Sequence, residues 1–249
     1  MGDYDAGMKV RRQVTINHGA RAHSDHPPFR YADYKSTLKR SPEMGLVNIA
    51  HTLSERTGPG FAWADLEVED ADLTTNSGTG EEAIGQRSII TGRVLDEGGE
   101  PVPNTLIELW QANACGRYMH WREDLFPAPL DPNFLGVGQC RSDAEGVYRF
   151  TTIKPGPYPW GNHPNAWRPA HIHFSLLGPA LPSRLVTQMY FPDDPLFAFD
   201  PIFQAAPIHS RQRMVARYDN NVTEENWAIG YTWDIVLRGT SATPGAFER

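Results

Sequence analysis

From Ser88 to Arg238, apolar and polar positions alternate in short runs broken by turn residues. "SIITGRVLDEGGEPVPNTLIELWQA" holds two such runs, rich in β-branched side chains, on either side of a Gly-Gly-Glu-Pro turn. "GVYRFTTIKPG" supplies a third, and "AHIHFSLLG", "LVTQMYF" and "YTWDIVLRG" follow with turn signals between them. Period-two runs of about four to eight residues, bounded by Gly, Pro, Asn and Asp, read as strands. A succession of them reads as an all-β sandwich or barrel. A β-sandwich domain is therefore predicted over residues 86–249, with one minor helix around "HSRQRMVARYDN". Residues 1–85 have another texture. "SDHPPFRYADYKSTLKRSPEMG" is polar, punctuated by proline and weakly periodic, and "DADLTTNSGTGEEAIG" reads as loop. A long irregular arm of this kind wraps the core or a partner chain, or lines a cleft.

Composition narrows the picture without redirecting it. Seven tryptophans and 40% hydrophobic residues in a chain of 249 suffice for a sizeable core, while 21 prolines and 22 glycines argue for turns rather than a helix bundle. A formal charge of -7 offers no basic footprint for nucleic acid or an anionic membrane. The first residues lack the apolar core of a signal peptide, and no apolar stretch of about 18 residues is present, so a soluble cytoplasmic protein is expected. Cys115 and Cys140 form neither a disulfide framework nor a CxxC zinc motif and are expected as reduced thiols. Gly78 and Gly80 do not make a nucleotide loop, since no apolar strand precedes them and the third glycine of that fingerprint is missing.

Candidate chemistry centres on "RPAHIHFSLLG", Arg168 to Gly178. Strand side chains alternate faces, so His171 and His173 point one way and Ile172 and Phe174 the other. Two imidazoles at i and i+2 either form a hydrogen-bonded, half-buried pair or converge on one metal ion. Tyr118, in "ACGRYMHW", and Tyr158, in "KPGPYPWGNHPNAWRPAHIH", are expected on loops near strand ends, where sites are commonly built on a rigid sandwich. Taken singly, each reads equally as packing. Arg168 reads either as a surface ion pair or as part of a site beside the histidine strand.

"GRY", "PLDPNF", "IKPGPYPW", "WRPAHIHF" and "TQMYF" occur in this order, with "YKSTLKRSP" before them and "DIVLRG" after. Together they resemble the intradiol ring-cleavage dioxygenases over most of the chain. Within that family the likeness is greatest to the iron-binding β chain of the two-chain type that opens protocatechuate, 3,4-dihydroxybenzoate. The resemblance implies a non-haem Fe(III) held by Tyr118, Tyr158, His171 and His173. It implies that Arg168 lines the substrate and stabilises charge on its ring, that Gln188 contributes to the pocket, that Trp160 packs near the substrate and that Tyr34 approaches the carboxylate. It also implies a small aromatic catechol and O2 as substrates, a muconate product, and a homologous α chain completing a hetero-oligomer of α–β units. Two departures from the family pattern stand out: Gly161, where a basic residue is expected after "PYPW", and a run "MHWREDLFPAPL" one residue longer after Tyr118.

The implied ligands suit the implied ion. Fe(III) is hard and highly charged, so anionic oxygen donors fit it better than thiolates, and imidazole is tolerated. A free tyrosine has a pKa of about 10, and a bound trivalent cation is expected to drive its proton off. Two phenolates and a hydroxide would balance three positive charges, which makes burial tolerable. An entering catechol dianion would replace Tyr158 and the hydroxide with no change in net charge. Alternative readings are an intradiol dioxygenase with catechol or hydroxyquinol as substrate, a noncatalytic sandwich subunit, and a zinc or copper hydrolase using the histidine pair.

Overall fold

The computed structural model describes residues 25–44, 70–120, 128–178 and 184–245. Eleven strands are formed among them: β1 (Arg87–Leu95), β2 (Leu106–Gln111), β3 (Val137–Arg141), β4 (Val147–Ile153), β5 (Tyr158–Trp160), β6 (Ala166–Arg168), β7 (His171–Leu177), β8 (Leu185–Tyr190), β9 (Arg217–Tyr218), β10 (Ile229–Thr232) and β11 (Ile235–Val236). They make an all-β fold of two main sheets and one ribbon. In the first sheet β1 pairs antiparallel with β4 along its length, and its other edge takes β10 and then β11 in parallel, with β9 outside β10. The second sheet is antiparallel, in the order β3-β2-β7-β8, and β5 and β6 form the ribbon.

The two runs flanking the Gly-Gly-Glu-Pro turn therefore lie in different sheets. Asp96 closes that turn, its side chain accepting from the backbone of Gly98 and Glu100. The sheets meet through their inner faces, where Ile90, Tyr148, Phe150, Ile107, Leu109, Ile172, Phe174, Met189 and Trp233 are all buried. Phe174 makes edge contacts with Tyr148 and Phe150 and packs on Trp233, joining the sheets through aromatic pairs. Strand β7 is buried on both faces. Ile172, Phe174 and Leu176 fill the sandwich, so its period-two partners His171, His173 and Ser175 are covered by something other than the facing first sheet.

Several sequence expectations change here. The helix expected around "HSRQRMVARYDN" is a 3-10 turn at Arg211–Met214 followed by β9, because Tyr218 and Arg217 pair with Tyr231 and Thr232 and so leave helical geometry. A helix occurs instead at Pro201–Ala205, capped by the Asp200 side chain at Ile202 N. "YTWDIVLRG" is split between β10 and β11. "VGQCR" pairs fully with β2 as β3 despite its glycine and polar residues. Tyr158 lies on a strand rather than a loop. The ribbon is only two strands wide, so Pro159, without an N–H, is tolerated there.

Of the N-terminal arm, residues 25–44 contain one helical turn, Thr37–Arg40. Asp25 accepts from His209 Nε2 (2.9 Å) and Arg213 Nη2 (3.0 Å), and His26 Nδ1 accepts from Gly245 N (2.9 Å). Residues 1–24 and 45–69 of the arm, and residues 121–127 of the longer run after Tyr118, lie outside the described residues. Cys115 and Cys140 are both free thiols. No helix of the described residues is long and apolar enough to cross a membrane.

Candidate active site

The outer face of the β2-β7-β8 sheet carries the site. Register places Trp110, His173 and Gln188 in one cross-strand row and sets His171 opposite Tyr190. The Trp110 and His173 rings stack at 4.9 Å with 9° between their planes, which fixes the imidazole's tilt. The His171 and His173 rings stand 4.9 Å apart. Pro169 O accepts a 2.7 Å bond from His171 Nδ1, so that nitrogen carries the proton and Nε2 keeps its lone pair.

Two phenols reach this face from other elements. Tyr158 Oη is 3.2 Å from His171 Nε2, and Tyr118 Oη is 3.2 Å from His173 Nε2. The phenol rings meet edge to face at 5.5 Å. Tyr118 follows a loop organised by buried Asn113, whose Oδ1 accepts from Cys115 N and Arg117 N while its Nδ2 donates to Pro129 O. That loop packs directly on the residues leading into β5. A Cβ on Gly116 would come within 2.2 Å of Pro157 O, and one on Gly156 within 2.4 Å of Ala114 O. Gly116 also has φ +79°, a region that disfavours any side chain.

Arg168 sits opposite Tyr158 on the ribbon and is 3% exposed, which excludes the surface ion-pair reading. Its Nη2 donates to Gln188 Oε1 (2.6 Å), Tyr190 Oη (2.9 Å) and Asp200 Oδ2 (3.1 Å), and its Nη1 donates to His171 Nε2 (3.1 Å). Trp160 lies under the guanidinium at 5.8 Å, and Tyr34 meets Trp160 edge-on at 5.4 Å. The arm is pinned there by Asn162, which accepts from Lys35 N (2.9 Å) and donates to Asp33 O (2.6 Å). Trp160 Nε1 and Arg168 Nε are buried and meet no acceptor among the described residues. A Cβ on Gly161 would touch nothing within 4 Å.

Electrostatics set the protonation of these groups. Burial first, and then the Arg168 charge, holds His173 down at about 3 and His171 well below the usual imidazole range, so both rings are neutral near pH 7. Burial pushes the Tyr158 phenol up, against the pull of Arg168 and a hydrogen bond with Tyr118. On Arg168 burial acts to lower the pKa, but the Asp200 carboxylate and the neighbouring tyrosines reverse it, and the guanidinium stays charged.

The donor set fits a hard cation. Two neutral imidazoles and two phenols converge, and ligands sharing one ion through bonds of about 2 Å lie about 3 Å apart. Among the described residues no group of three or more His, Cys, Asp and Glu gathers to hold a metal, and the side-chain oxygens that stand beside the histidine pair are the phenols of Tyr118 and Tyr158. All eight residues expected at the site, from Tyr34 to Gln188, are brought into this one constellation. Asp200, Tyr190 and Trp110 belong to it too and were not anticipated. A lone aspartate ahead of a proline signals a helix cap, and nothing local shows that its second oxygen reaches an arginine 32 positions back.

A dioxygenase family model matches residues 57–239, and the model described as the protocatechuate 3,4-dioxygenase beta subunit N terminal matches residues 20–52. A protocatechuate 3,4-dioxygenase beta chain from Burkholderia cepacia is 57% identical over 88% of this chain and 93% of its own length. The chain belongs to the intradiol ring-cleavage dioxygenases. Members of this family use non-haem iron. A protocatechuate 3,4-dioxygenase alpha chain from the same organism is 23% identical over 80% of this chain and 98% of its own, so the likeness extends to both partners of that enzyme and is far greater to the beta chain. The solved hydroxyquinol 1,2-dioxygenase of Pseudomonas putida, at 23% identity and a TM-score of 0.51 over 81% of this chain and 69% of its own, shares the fold.

Proposed function

We propose that this chain is the iron-bearing β chain of a cytoplasmic protocatechuate 3,4-dioxygenase. It opens 3,4-dihydroxybenzoate between its two hydroxyl-bearing carbons with O2, giving 3-carboxy-cis,cis-muconate. The observation that carries this reading is the 57% identity to a protocatechuate 3,4-dioxygenase beta chain over nearly the full length of both. The convergence of two phenols on a neutral histidine pair supports it independently of likeness.

Tyr118, Tyr158, His171 and His173 would hold Fe(III), whose contribution is Lewis acidity that makes a chelated catechol ring reactive toward O2. His171 and His173 supply lone pairs without first losing protons. Tyr158, whose burial favours the phenol, could take up at Oη a proton from an incoming hydroxyl. Arg168 cannot lose its proton, so it offers fixed positive charge to a ring becoming anionic. Gln188 anchors Arg168, while Trp160 and Tyr34 form a wall on the same side. Residues 33–35 of the arm complete that wall by docking against Trp160 and Asn162, and a homologous α chain completes the pocket in an α–β assembly.

Visible spectroscopy with metal analysis, before and after adding 3,4-dihydroxybenzoate to coexpressed α and β chains, tests the reading. Stoichiometric iron, a phenolate-to-iron band that shifts on addition, and turnover favouring the carboxylated ring over catechol and hydroxyquinol are expected. A colourless zinc protein would overturn it. A wide preference for catechol would overturn the substrate.

A further inference from the structure

Arg168 is useful to a site only if its charge neither wanders nor stands uncompensated in a dry interior. Asp200 meets both needs. It is 0% exposed and gives its oxygens separate tasks. Oδ1 accepts from Ile202 N at 3.1 Å and caps the helix Pro201–Ala205. Oδ2 accepts from Arg168 Nη2 at 3.1 Å and lies 3.2 Å from Tyr190 Oη. With Gln188 and Tyr190 on the same nitrogen, Nη2 is fully engaged, and the other terminal nitrogen, Nη1, donates to His171 Nε2 at 3.1 Å.

The geometry points to Asp200 as the positioning residue of Arg168, a buried carboxylate that neutralises the guanidinium and fixes which edge faces the histidine pair. Resting on the ring-opening reading above, this assigns to Asp200 the readiness of the cation that receives charge from the bound ring. Removing one partner of a buried pair leaves the other charge uncompensated, whereas removing both does not. The short helix 201–205 thus serves as the mount from which Asp200 reaches across to β6.

Asp200→Asn separates the two tasks. Asparagine caps a helix about as well as aspartate, so its carbonyl oxygen keeps the bond to Ile202 N. Its amide nitrogen then faces Arg168 and Tyr190 as donor against donor. In the iron-loaded assembly this variant should keep its iron and its phenolate-to-iron band, hold KM within about threefold, and lose about 10- to 100-fold in kcat, the range for outer partners of a metal site. A kcat within twofold of wild type, or a kcat loss matched by iron loss, would overturn the assignment.

A second measurement does not depend on turnover. Asp200→Asn should lower the unfolding temperature of the full-length protein, and adding Arg168→Met should restore most of it. Failure to recover would show that Asp200 acts through its helix cap alone. A wild-type protein that opens no catechol ring would sink the functional reading, and the stability cycle would still decide whether Asp200 holds Arg168.

Discussion

His171 and His173 stand on a strand laddered to β2 on one side and β8 on the other, with the sandwich core directly beneath, whereas Tyr118 and Tyr158 stand on a loop and a three-residue strand. Each half contributes two donors, yet they are held by different physics. The imidazoles cannot shift unless the register of three strands shifts with them, and a one-residue slip would turn Phe174 out of the core. The phenols are located by two glycines at close backbone approaches and by the side chain of Asn113. A site so divided has a half fixed by strand register and a half fixed by local backbone packing, and on the proposed reading the second half is the one that would give up a ligand position to substrate.

The sharpest way to break this contrast is to remove one donor from each half. His173→Ala should strip the iron and lower turnover by more than about a hundredfold, the upper end for mere supporting residues, whereas Tyr158→Phe should lose turnover and keep most of its iron. Metal analysis beside oxygen-uptake rates distinguishes them, and equal iron retention in both would erase the distinction. Gly116→Ala comes next. Its Cβ would run into Pro157 O at a φ that disfavours side chains, at a cost of about 2 kcal/mol or more. The damage should appear as distortion of the Tyr118–Tyr158 pair in the visible band, beyond what the lowered unfolding temperature explains.

Acid should expose the half fixed by register. In iron-stripped protein His173 is neutral when folded down to about 3 but titrates near 6.5 when unfolded, so between those values the unfolded chain binds the extra proton. Stability is then complete above about 6.5 and falls with acid by about 1.4 kcal/mol per pH unit for this one group. Denaturant titrations at several pH values should show a flatter slope in His173→Phe. The smallest effect belongs to the arm. Asn162→Ala removes the bonds to Lys35 and Asp33, costing about 1 kcal/mol and raising KM about threefold while iron content stays unchanged.

Strand β7 and its histidines were legible because a buried strand with two same-face imidazoles has a period that survives without neighbours. The sandwich was legible for the same reason in β1, β2, β4 and β8. Tyr158 as a strand residue was not, since a proline in a three-residue run carries no β signal and pairing with β6 decides it. β3 escaped because "VGQCR" is polar and is ordered by β2 rather than by its own preference. The short helix 201–205 is shorter than any window in which 3.6-residue periodicity can be seen. At the site, the ligand types came through likeness of motif. The Arg168–Asp200 pair and the Trp110–His173 stack are products of tertiary register, which no spacing along the chain encodes.

The clasp between Asp25, His209 and Arg213, with the Gly245 amide on His26, sets an order of events during synthesis. Residues 25 and 26 are translated well before their anchoring partners at 209, 213 and 245, so they must wait undocked while the strands between emerge. Tyr34 can reach its place beside Trp160 early, but residues 25 and 26 are secured only once residues 209–245 have been made. A nascent chain halted before residue 209 would therefore carry the histidine strand, with Tyr34 able to reach Trp160 but residues 25 and 26 still unanchored.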